Sequence, residues 1–343
     1  MMRLPLSWLL AFTTAALALL LLGSLATGPM TLTLGESLRA LFAGQESGIE
    51  SHKLLIVQEI RLPRTLLCIA VGGILGLCGA VMQGLFRNPL ADPGIIGVSG
   101  GAALGAALAI VLLAPLGQQL QATIGVGLLP LLAFLGGALT TTLVYLLGTR
   151  EGGTSVTVML LAGVAITALS GAVIGLLTYL ADDQMLRNLS LWQMGTLAAG
   201  KPADVALALL TLAALLWLFM RDANPLNALL LGEGEARHLG VNVQSLKRRL
   251  ILLTAAGVGV AVAVSGMIGF VGLVVPHLVR LLAGPNHVRL LPLSALLGAA
   301  LLLAADMLAR TLQAPAELPV GIITALLGAP FFIWLLVKGR RTL

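Results

Sequence analysis

Thr65 to Gly84 reads TLLCIAVGGILGLCGAVMQG, and none of these residues carries a charge. As an α-helix rising about 1.5 Å per residue, the stretch extends about 30 Å, the thickness of a bilayer's hydrocarbon core. Working outward, apolar runs of similar length recur at 6–28, 94–114, 122–148, 156–180, 203–220, 250–270, 267–283, 290–313 and 319–337. The stretch from 250 to 283 has no polar break and is too long for one span, so it is divided at Gly266–Gly272. The pattern predicts about ten transmembrane helices. The run at 6–28 is longer than a usual signal-peptide core and leads into no soluble domain, so it is read as the first span.

Composition supports this. Of 343 residues, 58% are hydrophobic and 10% are charged, against about 25% charged in soluble domains. That excludes a disordered chain, a collagen, a disulfide scaffold and a soluble enzyme. The expected class is an all-α, polytopic membrane protein, with 1–343 as one membrane domain. Cys68 and Cys78 lie ten residues apart on one predicted helix, about 15 Å, too far for a disulfide. The net charge of +6 is spread over loops, which does not suit a nucleic-acid partner.

With the N-terminus inside and alternating spans, thirteen of the 20 Lys and Arg residues fall inside. Arg39, Lys53, Arg61, Arg64, Arg187, Lys201 and Arg310 fall outside. This bias places both termini in the cytoplasm. The long inside loop 221–249 contains Gly232-Glu233-Gly234-Glu235-Ala236-Arg237-His238-Leu239-Gly240. It reads as one or two short amphipathic helices closed by Gly240, and offers a docking surface for a soluble partner.

Glycines recur at four-residue spacing: Gly72 and Gly76; Gly97, Gly101 and Gly105; Gly171 and Gly175. Such stripes suit close helix packing, or a gap for a large substrate. Residues 29–60 read as a polar loop. Arg61 and Arg64 flank Pro63 at the predicted start of the second span. Cations there oppose the helix dipole, which calls for a compensating partner: an acidic protein outside, or lipid phosphate. Asp306 and Arg310 can pair at i, i+4, with Arg310 turned toward the same outer partner.

No catalytic or metal-ligand constellation is apparent, and His277 reads as a hydrogen-bonded residue near a helix end. Gly195-x4-Gly200-Lys201 matches the opening of a P-loop, but Pro202 stands where Ser or Thr must hold magnesium. Any ATP is therefore bound by another chain. Ionisable residues are absent from the predicted span interiors, which disfavours an ion-coupled secondary transporter.

Several ordered segments resemble the FecCD-type permeases, the membrane subunits of bacterial ABC importers for ferric siderophores, haem and cobalamin. They are Arg61-Leu62-Pro63-Arg64-Thr65, Gly79 to Gln83, Asn88 to Gly94, Gly97 to Ala102, Leu161 to Ala165, Gly269 to His277, Glu317 to Gly321 and Leu327 to Trp334. The resemblance implies a cobalamin-permease-like fold in the bacterial inner membrane and a homodimer. It also implies two cytoplasmic ABC ATPase subunits, carrying ATP and magnesium, and a periplasmic binding protein.

By matching position, Arg61, Arg64 and Arg310 would receive glutamates of the binding protein. Glu233, Gly234, Glu235, Ala236, Arg237, Leu239 and Gly240 would couple to the ATPase. Asn88 and Leu90 would form a cytoplasmic gate, joined more loosely by Ser155 and Thr157. The segment Tyr179 to Gly195 looks most like haem permeases, and Arg187 or Lys201 could meet propionates at the entrance. Haem is thus the expected cargo, with ferric siderophore or cobalamin as alternatives; this chain itself would hold no cofactor.

Overall fold

The structure, a computed structural model, describes residues 5–42, 50–114, 116, 119, 127–150, 153–198 and 200–339. It is a helical bundle. In chain order the helices are α1 (Leu6–Ala26), α2 (Leu34–Phe42), α3 (Ser51–Leu85), α4 (Val98–Val111), α5 (Leu128–Gly148) and α6 (Val156–Leu180). There follow α7 (Asp183–Gln193), α8 (Pro202–Arg221), α9 (Ala223–Leu231), α10 (Glu233–His238) and α11 (Val243–Ser265). Last come α12 (Val271–Ala283), α13 (His287–Thr311) and α14 (Val320–Gly339). Two short antiparallel strands, β1 (Thr149–Arg150) and β2 (Gly153–Thr154), connect α5 to α6.

Among the described residues seven helices, α1, α3, α5, α6, α8, α11 and α13, are long and apolar enough to cross a membrane. Apolar stretches of α4, α12 and α14 are shorter. A helix thus coincides with every predicted apolar run. The division near 266–272 is real: Gly266 has φ +68° and Phe270 φ +67°, and α12 restarts at Val271. Left-handed backbone at both positions ends one helix and re-aims the next.

Helix α3 is the axis of the fold, and 89% of its most apolar window is buried. It packs against α13, α8, α12, α11 and α1. Glycine decides how closely. A Cβ on Gly72 or Gly76 would strike the carbonyls of Gly298 and Ser294 on α13, and one on Gly79 would strike that of Gly272 on α12. Gly101 and Gly105 likewise bring α4 against Gly136 and Leu132 of α5. These stripes are packing surfaces within the chain. Gly171 and Gly175 differ: a Cβ on either meets nothing within 4 Å. Their helix, α6, has only 17% of its apolar window buried.

The expected loop at 29–60 is corrected. Residues 34–42 form α2, and α3 begins at Ser51 rather than near residue 64. Charged residues hid these turns from a hydropathy reading. A local signal was present: Thr33-x-x-Glu36 is a capping box, with Thr33 N–H donating to Glu36 Oε2 at 2.8 Å and Glu36 N–H to Thr33 Oγ1 at 3.2 Å. Within α3, Ile56–Arg61 forms a wider π-type turn. Pro63 has no N–H for the Glu59 carbonyl, and the wider turn falls where that bond is missing.

Candidate functional site

The antiparallel pairing of α3 and α13 defines two ends of the bundle. At one end lie Arg61, Arg64, Asp306, Arg310 and the last turn of α1. At the other lie Asn88, His287, α9, α10 and the start of α11. His287 joins that second end by packing over Gly84 and bonding Asn227 of α9 through both its backbone N–H and Nδ1.

At the first end the arginines come together, but inward. Arg61, Arg64 and Arg310 are 4%, 5% and 2% exposed. Arg61 Nη1 donates to the carbonyls of Leu25 at 2.7 Å and Ala26 at 2.9 Å, and Nη2 donates to that of Met30. Arg310 donates from Nη1 to Thr27 O at 3.1 Å and from Nη2 to Ser24 Oγ at 2.7 Å. Both cations thus serve the unpaired carbonyls at the C-terminus of α1, where the helix dipole favours positive charge. The apparent opposition to a dipole disappears, because α3 starts ten residues before Arg61.

Arg64 reaches Asp306 at 2.8 Å and Glu317 at 2.6 Å. Asp306 also receives Arg310 Nε at 3.0 Å, the expected i, i+4 pair. Ser24 and Thr65 hydroxyls close the cluster at 2.7 Å. The expectation of outward-pointing cations is therefore corrected: these side chains are used inside the chain. What faces outward here is the turn from Leu312 to Glu317, which is exposed.

At the second end the loop 221–249 folds as two short helices, as its sequence suggested. A Schellman motif closes α10: Gly240, at φ +82°, donates to Arg237 O at 2.9 Å, and Val241 donates to Ala236 O at 3.0 Å. Ala236 is buried, Glu233 is half-buried, and Gly234, Glu235, Arg237, Leu239 and Gly240 are exposed. Leu231 and Leu239, 67% and 64% exposed, flank α10 with apolar surface. The loop is anchored underneath. Arg249 pairs with Asp222, and buried Lys247 meets Glu233 at 2.6 Å and Thr154 O at 3.1 Å.

The four gate candidates occupy this end on two elements. Asn88 is exposed, and its Oδ1 accepts from Leu90 N at 2.9 Å. Leu90 is half-buried beside His277 and Phe331. Ser155 caps α6 by accepting from Val158 N at 3.4 Å, and Thr157 is exposed on the first turn. Among the described residues no hydrogen bond joins one pair to the other. His277 lies inside α12 rather than at its end, and its Nδ1 is buried without a hydrogen-bond partner. The reading of a hydrogen-bonded helix-end histidine is corrected.

Among α3, α4, α6 and α11 lies a cleft of about 620 Å³. Leu75, Asp92, Ser99, Gly163, Thr167 and Met267 are among its lining. Asp92 caps the short turn Pro93–Ile96, its Oδ1 accepting from Gly94 N at 2.7 Å. Burial raises its carboxyl pKa, against the lowering effect of that hydrogen bond. Sequence reading passed over Asp92 as a functional candidate. A second hollow of about 620 Å³ is lined by Asn188, Trp192, Lys201 and Asp204. Lys201 therefore faces a cavity, while Arg187 is exposed on α7 and does not line it.

Gln83 was visible only as part of a motif. Its Nε2 donates to Leu273 O at 3.0 Å, and Arg280 Nη1 donates to its Oε1 at 2.8 Å.

Comparison with known proteins agrees. Residues 16–338 match the FecCD transport family. The chain is 47% identical to the hemin transport system permease protein HmuU of Yersinia pestis, over 97% of this chain and 96% of that one. It is 42% identical to the vitamin B12 import system permease protein BtuC of Vibrio cholerae, covering 83% of each. A solved inward-facing conformation of a putative metal-chelate type ABC transporter superposes with a TM-score of 0.82 at 34% identity, covering 97% of this chain and 99% of that one. The chain belongs to the FecCD transport family and is a multi-pass permease subunit of an ABC importer.

Proposed function

We propose that this permease moves haem across the bacterial inner membrane. The observation that carries the reading is the similarity to a hemin permease along nearly the whole chain. The cleft suits such cargo: its walls are mostly small or apolar, with Asp92 the carboxylate among them. A large amphipathic ligand would meet little fixed charge there. Import of a ferric siderophore or cobalamin by the same architecture is the second reading, favoured by the vitamin B12 permease relative.

In this proposal the exposed face of α6, with Gly171 and Gly175, meets a second copy of the chain around the path. The end bearing α10 faces the cytoplasm with both termini, as the basic residues suggest. There α10 contacts one of two ATPase subunits, and Asn88, Leu90, Ser155 and Thr157 form the inner gate. The opposite end receives a periplasmic binding protein. Arg61, Arg64 and Arg310 act in docking by fixing the helix ends beneath the exposed turn at Leu312–Glu317. Lys201 lies at the entrance, with Arg187 nearby in sequence.

The test is ATPase stimulation. The permease–ATPase complex would be assembled in lipid and mixed with binding protein loaded with haem, ferric siderophore or cobalamin. Stimulation by the haem-loaded form alone supports the assignment. Stimulation by another loaded form alone replaces the cargo and keeps the importer.

A further inference from the structure

We propose that Lys247 is a strut that transmits movement of the ATPase-contacting helix α10 to the gate at the start of α6. The proposal rests on the reading of α10 and Ser155 given above. Its evidence is the position of one ammonium group. Lys247 lies on the first turns of α11, and its side chain is 3% exposed. Nζ donates to Glu233 Oε1, at the first residue of α10, at 2.6 Å. The same atom donates to the carbonyl of Thr154, the residue preceding the α6 cap Ser155, at 3.1 Å.

Both bonds are charge-assisted, and the ammonium that makes them is buried, while Glu233 is half-buried. A buried ammonium strongly resists losing either partner, so displacement of α10 pulls on Thr154 through Lys247. The strand is stiffened to respond as a unit. Gln244 Oε1 accepts from both N and Oγ1 of Thr154 at 3.2 Å, and Thr149 and Thr154 hydroxyls meet at 3.1 Å across the β1–β2 pair. Gly153, at φ +115°, lies where a Cβ would run into the Gln244 amide. Ser155 N–H then donates to Gly148 O at 2.8 Å, closing the hairpin onto the end of α5. From Glu233 to the α6 cap there are two hydrogen bonds through one atom and one peptide step.

This makes Lys247 a positioning residue, and its signature is loss of coupling rather than loss of either end activity. The readout is cargo molecules moved per ATP hydrolysed in proteoliposomes, together with the distance between spin labels at Thr157 in the two copies, with and without trapped nucleotide. Lys247→Met should lower the transport ratio by about tenfold, within the range of allosteric coupling energies, and abolish the nucleotide-dependent distance change. Lys247→Arg, which keeps a cation and two donors, should retain the ratio within about twofold.

Should Lys247→Met fail to assemble, Glu233→Gln decides. It leaves Lys247 bonded to Thr154 and weakens the α10 leg, and should lower the ratio by about threefold. An unchanged ratio in Glu233→Gln, or a wild-type distance change in an assembled Lys247→Met complex, overturns the strut. A separate control reports on the underlying reading: Gly234→Cys, at an exposed position with open space around it, should cross-link to the ATPase. Its failure to do so would remove α10 as the contact, whatever the Lys247 variants show.

Discussion

Arg64 and Asp306 stand 242 residues apart in the chain, yet their side chains pair at 2.8 Å with almost no exposure to solvent. Asp306 is shared with Arg310, so one carboxylate holds two guanidinium groups from α3 and α13. Leaving a buried charge without its partner is expensive, typically about 3–5 kcal/mol.

That relation changes what substitution at this end should do. Asp306→Ala leaves buried Arg310 with neutral partners and Arg64 with Glu317 alone, so the detergent-solubilised protein should lose about 3–5 kcal/mol of stability. Thermal unfolding followed by tryptophan fluorescence or calorimetry measures it. Arg61→Glu with Arg64→Glu should likewise yield little folded protein, because the acidic side chains would face the α1 carbonyls and Asp306. Normal folding with uptake alone lost would instead assign these arginines directly to docking.

Glycines on the two kinds of stripe should respond oppositely. Gly79→Ala drives a methyl into the Gly272 carbonyl, and overpacking of this kind costs about 1–3 kcal/mol. Gly171→Ala and Gly175→Ala enter open space, so the thermal stability of the single chain should hold. If the α6 face meets a second copy or lines the path, uptake should fall in both. Unchanged uptake in the double variant would remove that face from the path.

Acidification should loosen α2 before the bundle. Bonds from Lys53 and from Thr33 lower the Glu36 pKa from 4.5 to about 2. A carboxylate with a lowered folded pKa contributes stability that is complete above its unfolded pKa and lost as pH falls toward the folded one. Hydrogen exchange in residues 34–42 should therefore rise between about pH 4.5 and pH 2, after correction for intrinsic rates. Glu36→Gln should show raised exchange already at neutral pH and no further step on acidification.

Closure of α10 depends on Gly240, whose φ of +82° suits glycine. Gly240→Val should cost about 1–2 kcal/mol locally and weaken ATPase binding. Titration of labelled ATPase against the permease in nanodiscs would read the change as a weaker Kd.

How much of this was legible in the sequence depends on the range of each interaction. Hydropathy located the spans because burial in lipid acts on every residue of a run. The turn at Gly266–Gly272 and the closing role of Gly240 were readable because glycine clusters and caps are local. The Asp306–Arg310 pair was readable at i, i+4. Arg64–Asp306 and Lys247–Thr154 were not, since partners 242 and 93 residues apart leave no spacing signal. Helix α2 carries a local signal in Thr33-x-x-Glu36, but its charged residues leave no apolar run for hydropathy to find. The dipole puzzle at Arg61 came from a helix start expected near residue 64; α3 begins at Ser51, and the carbonyls that Arg61 serves on α1 leave no spacing signal.

Transport assays decide whether this chain, with its ATPase and binding protein, carries haem. Proteoliposomes containing the permease–ATPase complex, with ATP inside or outside to match orientation, would be given haem, a ferric siderophore and cobalamin on their respective binding proteins. The account predicts ATP-dependent accumulation of haem, absent with a non-hydrolysable analogue. Accumulation of a siderophore or cobalamin with no haem uptake would contradict it.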